Sequence, residues 1–196
     1  MAKKNFYAIK NTGEIYTSWP ECQTALKQVK SPVFKGFATK EEALAFISDQ
    51  EDDLLPRESI FVDGSFNAKK QLVGGSFVVV KDNQSIHEHK FCNADDEIIA
   101  LHNVGGELLA TGYALQYAVK SGMEEVTICH DYQGIASWAD GSWQAKKDVT
   151  KRYANFVKKL VKENDLTVKF KKISAHTGVK FNERADQLAK EACGIN

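Results

Sequence analysis

Ser59-Ile60-Phe61-Val62-Asp63-Gly64 is an almost unbroken apolar run that ends on an acid and a glycine. A run without polar alternation predicts a central strand buried on both faces. Leu72–Lys81 and Gln84–Asn93 read as two more strands, and Lys81-Asp82-Asn83-Gln84 between them suits a hairpin turn. Further on, Val104, Leu108, Thr111, Leu115 and Ala118 form one stripe of a long helix from about Asn103 to Lys120. Glu125–Asp131 alternates as a fourth strand, and Tyr153, Phe156, Val157, Leu160 and Val161 mark another amphipathic helix. Leu166–Ile173 is a fifth strand, and Asn182–Cys193 a last helix with Ala185, Leu188, Ala189 and Ala192 inward. Three successive strands followed by alternating helix and strand predict an α/β fold with a mixed five-stranded sheet, antiparallel first and parallel later, flanked by helices.

Upstream, a second pattern is complete by itself. Asn5–Ile9 and Glu14–Thr17 read as strands around the turn residues Asn11-Thr12-Gly13. Ser18-Trp19-Pro20-Glu21 has the form of a capping box, opening a helix expected to reach about Val29. Pro32–Phe37 is a short strand, and Thr39-Lys40-Glu41-Glu42 is a second capping box, with Ala43, Leu44, Phe46 and Ile47 facing inward. The order is ββαβα. So few residues make a marginal core, which Trp19, Phe34 and Phe37 would have to supply unless some of them face a ligand.

Charge separates the two patterns. Residues 1–48 carry a net +3, residues 49–58 a net −4, and residues 59–196 a net +1. The acidic stretch, with Pro56 near its end, reads as a linker between domains at 1–48 and 59–196. The whole chain of 196 residues balances 26 Lys+Arg against 26 Asp+Glu, which excludes a uniformly basic nucleic-acid coat while permitting local patches. Four scattered cysteines without a C-x-x-C pair argue against a zinc ribbon or redox motif. Neither a bilayer-spanning stretch nor a leader is apparent, so a reduced, cytoplasmic setting is the expectation.

Four acids stand where acids are awkward. Asp63 interrupts an apolar strand, and Asp131 closes Val126-Thr127-Ile128-Cys129-His130 at the carboxyl end of a parallel strand, where open α/β sheets place their sites. Glu107 and Asp186 lie at the margins of buried helical stripes. Carboxylates against a core are costly unless paired or bound to a cation, and several together repel one another. Oxygen-only ligands favour Mg²⁺ or Mn²⁺ over zinc. Taken singly, each acid has an ordinary alternative: Asp63-Gly64-Ser65 as turn chemistry, Asp186 as the partner of Arg184 or Lys190. Spacing reaches only a possible acidic metal site.

Phe61-Val62-Asp63-Gly64-Ser65, Asn103-Val104-Gly105-Gly106-Glu107-Leu108-Leu109-Ala110, His130-Asp131-Tyr132-Gln133-Gly134-Ile135 and Ser174–Ala189 resemble, in order, the four blocks of type 1 ribonuclease H. Residues 5–47 separately resemble the small hybrid-binding domain that precedes many such enzymes, through Phe6-Tyr7-Ala8, Ser18-Trp19-Pro20-Glu21-Cys22 and Phe34-Lys35-Gly36-Phe37-Ala38-Thr39. The resemblance implies a ribonuclease H-like fold and a monomeric endonuclease, without an obligate protein partner, that cuts the RNA strand of an RNA·DNA hybrid. It would leave 3′-hydroxyl and 5′-phosphate ends. It also implies that Asp63 bridges two Mg²⁺ ions about 3.5–4 Å apart, with Mn²⁺ able to substitute. Asp186 would hold the ion that activates water, and Glu107 and Asp131 the one at the leaving oxygen. His176 falls at the family's loop histidine, linked there to proton transfer or product release. His87 and His89 are expected only to share one face of a strand.

By the same resemblance, Asn67, Asn103 and Gln133 would contact 2′-hydroxyls in the minor groove, where an enzyme that reads backbones needs donors and acceptors. Trp19 and Phe34 would pack on DNA sugars, with Tyr7 and Lys35 nearby at the hybrid; ordinary core packing is the alternative for the two large rings. Gly36 stands where many hybrid-binding domains have a second lysine, and Ser174-Ala175 where many members have Lys-Gly or Pro-Gly. The segment 137–147 is too short for the basic protrusion of some single-domain relatives, which leaves affinity to the N-terminal domain. A DNA-directed nuclease or strand-transfer enzyme on the same sheet, and a non-catalytic hybrid binder, are the competing readings. The second and fourth blocks and the N-terminal domain argue against the first, and four intact acids against the second.

Overall fold

The computed structural model describes residues 5–30, 32–48, 58–173 and 180–195. They fall into two compact units, one ending at residue 48 and one beginning at residue 58 among the described residues. Residues 49–57 of the expected linker lie outside the described residues, whereas Glu58 is already in a strand, paired with Lys81 at 2.6 Å.

The first unit consists of β1 (Phe6–Ile9), β2 (Glu14–Tyr16), α1 (Trp19–Leu26), β3 (Phe34–Phe37) and α2 (Lys40–Ser48). Its antiparallel sheet has the order β2-β1-β3. Helix α1 is shorter than expected, because Gln28 and Val29 donate back only three residues, to Ala25 and Leu26, and the chain tightens into turns. The Ser18 side chain makes no cap bond. The second box is genuine: Glu42 N–H donates to Thr39 Oγ1 and Thr39 N–H to the Glu42 carboxylate, both at 3.2 Å. Ala8, Ile9, Cys22 and Ala43 are fully buried, and Phe37 packs on Phe46 at 5.3 Å between ring centroids. Trp19 and Phe34 are not core residues, and Leu44 faces outward.

The second unit begins with β4 (Glu58–Asn67), β5 (Leu72–Lys81) and β6 (Gln84–Asn93), followed by α3 (Asp96–Ile99) and α4 (Asn103–Lys120). Then come β7 (Glu125–His130), α5 (Gly134–Asp140), α6 (Asp148–Asn164), β8 (Thr167–Lys172) and α7 (Lys180–Ala192). The sheet order is β6-β5-β4-β7-β8, antiparallel through β4, β5 and β6 and parallel through β4, β7 and β8, as the element order predicts. Asp82 and Asn83 both have positive φ, the signature of a tight hairpin turn between β5 and β6. The short helices α3 and α5 were not legible as helices. The first is a single turn started by Asp95, whose side chain accepts the Glu97 N–H at 2.9 Å. No helix among the described residues is long and apolar enough to cross a membrane.

Strand β4 is buried on both faces from Ser59 to Asp63, and its alternation sorts the helices. Ile60, Val62 and Gly64 face α4, behind which α6 packs. Phe61 faces α7, with its ring 5.7 Å from that of Phe181. Approach on the α4 side is so close that a Cβ on Gly64 would lie 2.1 Å from the Asn103 carbonyl oxygen. Gly64 is therefore required by contact, and it brings the first turns of α4 against the strand that carries Asp63.

Candidate functional site

Pairing between β4 and β7 ends at Phe61↔Cys129, while β4 runs on beside β5. Asp63 thus sits just past the fork where the two parallel strands part, at their carboxyl ends. Its side chain is 8% exposed and accepts the Gly64 N–H at 2.6 Å. Asp131 leaves the end of β7 on the other arm of the fork and is half-buried.

Glu107 enters from α4. Expected at the edge of the helical stripe, it is in fact 2% exposed, because the contact at Gly64 draws the start of α4 onto the sheet. One oxygen, Oε1, accepts the successive N–H groups of Asp131 at 3.3 Å and Tyr132 at 3.4 Å. Consecutive backbone amides pointing at one oxygen form an anion-holding nest. Asp186 comes from α7 on the opposite face. Ser76, the cross-strand partner of Asp63, donates from Oγ to the Ala185 carbonyl at 2.6 Å, which fixes the adjacent Asp186 beside the fork. Of the two cations considered for Asp186, Lys190 is the partner, at 2.6 Å, while Arg184 makes a forked contact with Glu88.

The acids act on one another. Burial pushes the Asp63 carboxyl up to about 7, with Asp131 and Asp186 adding repulsion and the Gly64 N–H and Lys190 opposing it. Glu107 is raised well above the usual carboxylate range, first by burial and then by Asp131 and Asp63, against the two amides that hold it. Four carboxylates from two strands and two helices therefore share one neighbourhood. As placed, Asp63, Glu107 and Asp186 are each turned to a nitrogen donor. Among the described residues, no three His, Cys, Asp or Glu side chains are gathered tightly enough to enclose one ion. A cation here would draw the carboxylates inward from those donors. The donor set fits a hard divalent ion: all ligands are oxygens, and the buried pair is penalised for its charge.

The remaining expected residues divide. Asn103 is exposed at the first position of α4. Gln133 is exposed beside Asp131, with Nε2 on Ser137 Oγ at 3.1 Å. Asn67 is engaged structurally: its Nδ2 donates to the Cys193 and Gly194 carbonyls, and its Oδ1 accepts the N–H groups of Lys69 and Lys70. His176 lies outside the described residues. In the first unit, Tyr7, Trp19 and Phe34 form a row, with ring centroids 5.2 Å and 5.7 Å apart, and Trp19 and Phe34 are 37% and 44% exposed. The two adjacent large rings are thus open to solvent rather than packed into the core of the unit. Lys35 is not brought to that row; it alternates to the opposite face of β3, its Nζ 5.6 Å from the Phe37 ring centroid. His87 and His89 do share a face, both packed on Phe77.

One feature beside the acids was missed. A cleft of about 700 Å³ is lined by His102, Tyr132, Trp138, Trp143, Lys146 and Lys147. Trp143 is exposed and meets Trp138 and Tyr132 edge-on. Its signal, aromatic and basic residues interleaved in 138–147, was present in a segment read only for the protrusion it lacks.

Residues 5–47 match the family model of the ribonuclease H1 N-terminal domain, and residues 56–194 match that of RNase H. Among solved structures, RNase H1 of the halophilic archaeon Halobacterium salinarum is similar in fold, at 22% identity and a TM-score of 0.60, over 72% of this chain and 100% of that one. LC11-RNase H1, solved in complex with an RNA/DNA hybrid, is similar at 20% identity and a TM-score of 0.59, over 70% and 96% of the two chains. The N-terminal RNase H domain of a Mycobacterium tuberculosis protein follows at 18% and 0.57, over 70% and 94%.

Proposed function

The chain belongs to the ribonuclease H family and is a ribonuclease H hydrolase, and from that premise we propose that it cleaves the RNA strand of RNA·DNA hybrids as a two-metal endonuclease. The observation that carries this reading is the convergence of Asp63, Glu107, Asp131 and Asp186 at the fork of β4 and β7, with Asp63 and Glu107 buried and the charge of Asp131 opposing both. A binding surface has no use for buried carboxylates set against a further acid; a phosphodiester hydrolase does.

Asp63 would bridge two Mg²⁺ ions, with Mn²⁺ as a substitute, Asp186 completing one site and Glu107 with Asp131 the other. When bound, such cations would supply positive charge to the attacking water oxygen and to the leaving 3′-oxygen of the phosphodiester, giving 5′-phosphate and 3′-hydroxyl ends. The protein's own part is positional. Opposite helices bring Glu107 and Asp186 to the fork, and the amides of Asp131 and Tyr132 hold Glu107 in register. Asn103 and Gln133, exposed and close in sequence to Glu107 and Asp131, would meet 2′-hydroxyls, the groups that tell RNA from DNA. The cleft around Trp138 and Trp143, with Lys146 and Lys147, offers stacking and charge to a nucleic-acid backbone.

The first unit would bind the hybrid through Tyr7, Trp19 and Phe34, with the tether at 49–57 leaving the catalytic unit to cut. We propose His176 as a proton-transfer or release residue, and a monomer in the cytoplasm, in keeping with four free thiols. The test is cleavage of end-labelled hybrid, double-stranded RNA and double-stranded DNA with Mg²⁺ and with chelator. The expected result is Mg²⁺-dependent cutting of the RNA strand of the hybrid alone. Cutting of duplex DNA with sparing of the hybrid, or binding without any cut, overturns it.

A further inference from the structure

We infer that His130 is a positioning residue of this site, acting through the Asp131–Tyr132 turn to hold Glu107 and Asp131; the inference rests on the proposed role of those two acids. His130 is the last residue of β7 and is 1% exposed. Its ring is fixed by an edge-on contact with Phe170 at 6.0 Å, and its backbone by pairing with Lys172 and by the Ile173 N–H, which donates to the His130 carbonyl at 2.7 Å.

The imidazole reaches forward along the chain. Nδ1 lies 3.0 Å from the Tyr132 carbonyl oxygen, which can only accept, so Nδ1 carries the proton. The same carbonyl accepts the Ile135 N–H at 3.1 Å, from the first turn of α5. Held by two donors, the Tyr132 carbonyl closes a loop back to the His130 side chain that restricts the torsions of residues 131 and 132, whose N–H groups both point at Glu107 Oε1. A single buried ring thus links the end of β7 to the nest that seats one acid and to the residue that supplies another.

Among the described residues the ring's hydrogen bond is made from Nδ1. Nε2 is buried with no hydrogen-bond partner among the described residues. An unpaired buried nitrogen carries a desolvation cost that leucine would avoid at similar volume, so packing alone does not account for histidine here. The Nδ1–H contact does.

The discriminating variants in the full chain are His130→Asn, whose amide nitrogen falls near Nδ1, and His130→Gln, whose amide falls near Nε2. In metal-free protein, hydrogen exchange at the Asp131 and Tyr132 amides should stay within about threefold of wild type in His130→Asn and accelerate about tenfold or more in His130→Gln. Calorimetric Mg²⁺ affinity should follow, with a loss of about tenfold or more in His130→Gln alone, the usual scale for removing a residue that orients a metal ligand. The KM for hybrid should be unchanged in both. Equal losses in the two variants, or a wild-type His130→Gln, overturn the inference. If either variant fails to fold, ¹⁵N shifts of the wild-type imidazole decide: an Nδ1–H tautomer is expected, and an Nε2–H tautomer overturns it. Should the wild type fail to cut hybrid, the exchange pattern would still stand, so the two readings fail separately.

Discussion

Ser76 and Asp63 are cross-strand partners on β5 and β4, and Ser76 Oγ donates to the Ala185 carbonyl of α7 at 2.6 Å. One hydroxyl thereby ties the helix that carries Asp186 to the strand pair that carries Asp63. Ser76→Ala removes the tie without filling or emptying much space. The expected result is a loss of about 1 kcal/mol in denaturant unfolding, the net worth of a hydrogen bond, together with weaker Mg²⁺ binding. Lost stability with unaltered Mg²⁺ affinity would remove Ser76 from the alignment of Asp186.

Gly64 answers to a harder constraint. A Cβ there would meet the Asn103 oxygen at 2.1 Å and the Glu107 nitrogen at 2.4 Å, both backbone atoms that have no rotamer to change. Gly64→Ala must push α4 away from β4 and take Glu107 with it. Expected are a destabilisation of about 3 kcal/mol or more, the upper range for overpacking, and a steep drop in cleavage. A stable, active Gly64→Ala protein would show that α4 has room the structure does not allow.

Asp63→Asn keeps the shape and removes the charge. If Asp63 bridges the metal sites, cleavage should fall by at least about a hundredfold, while hybrid affinity, proposed to rest on the exposed rings of the first unit, stays near wild type. Cleavage rates at saturating Mg²⁺ and hybrid binding in Ca²⁺ measure the two. Retained cutting would take Asp63 out of the chemistry.

The same variant isolates a pH effect in metal-free protein. The Asp63 carboxyl is pushed up to about 7 in the fold, above its ordinary 3.8, so the fold favours its protonated form. Its contribution is complete below about pH 4 and is lost as pH rises through about 7. Relative to Asp63→Asn, wild type should therefore lose stability over that window, at no more than about 1.4 kcal/mol per pH unit for this one group. Removing the charge also relieves Glu107, which adds in the same direction. Subtracting the two curves cancels most of the opposite trend from His130, whose pKa burial lowers. Saturating Mg²⁺ should stabilise wild type above pH 7 and leave Asp63→Asn little changed. A flat difference between pH 4 and 8 would contradict the repulsion at the fork.

The legible parts of this fold are those where local pattern and burial agree. The apolar run of β4, the stripe of α4 and the strand order could be read directly, because period and composition point the same way. Helix α5 escaped because its short segment, between Tyr132 and Gly141, is buried by neighbours rather than announced by its own periodicity. Asp63 and Asp131 declared themselves by interrupting or ending apolar strands. Glu107 did not: its depth comes from glycine contacts between α4 and two strands that no one-dimensional stripe contains. The nest of Asp131 and Tyr132, and the ring of His130 behind it, are tertiary in origin and invisible to spacing.

Trp19 was read as either core or ligand surface, and its exposure favours the surface. Its ring touches Tyr7 and Phe34, while the buried residues of that unit are Ala8, Ile9, Cys22 and Ala43. Truncation to alanine should therefore cost the fold about 1–3 kcal/mol from two tilted ring contacts, without emptying a core position. Hybrid affinity should fall about tenfold or more, as for an aromatic anchor removed from the centre of an interface. Titration of a labelled, uncleavable hybrid gives the affinity, and the circular dichroism melt of the same sample gives the fold. Loss of the melt together with binding would return Trp19 to the core. Unchanged binding in a folded variant would move the hybrid to another face of the unit, and Lys35, on the opposite side of β3, would become the residue to test next.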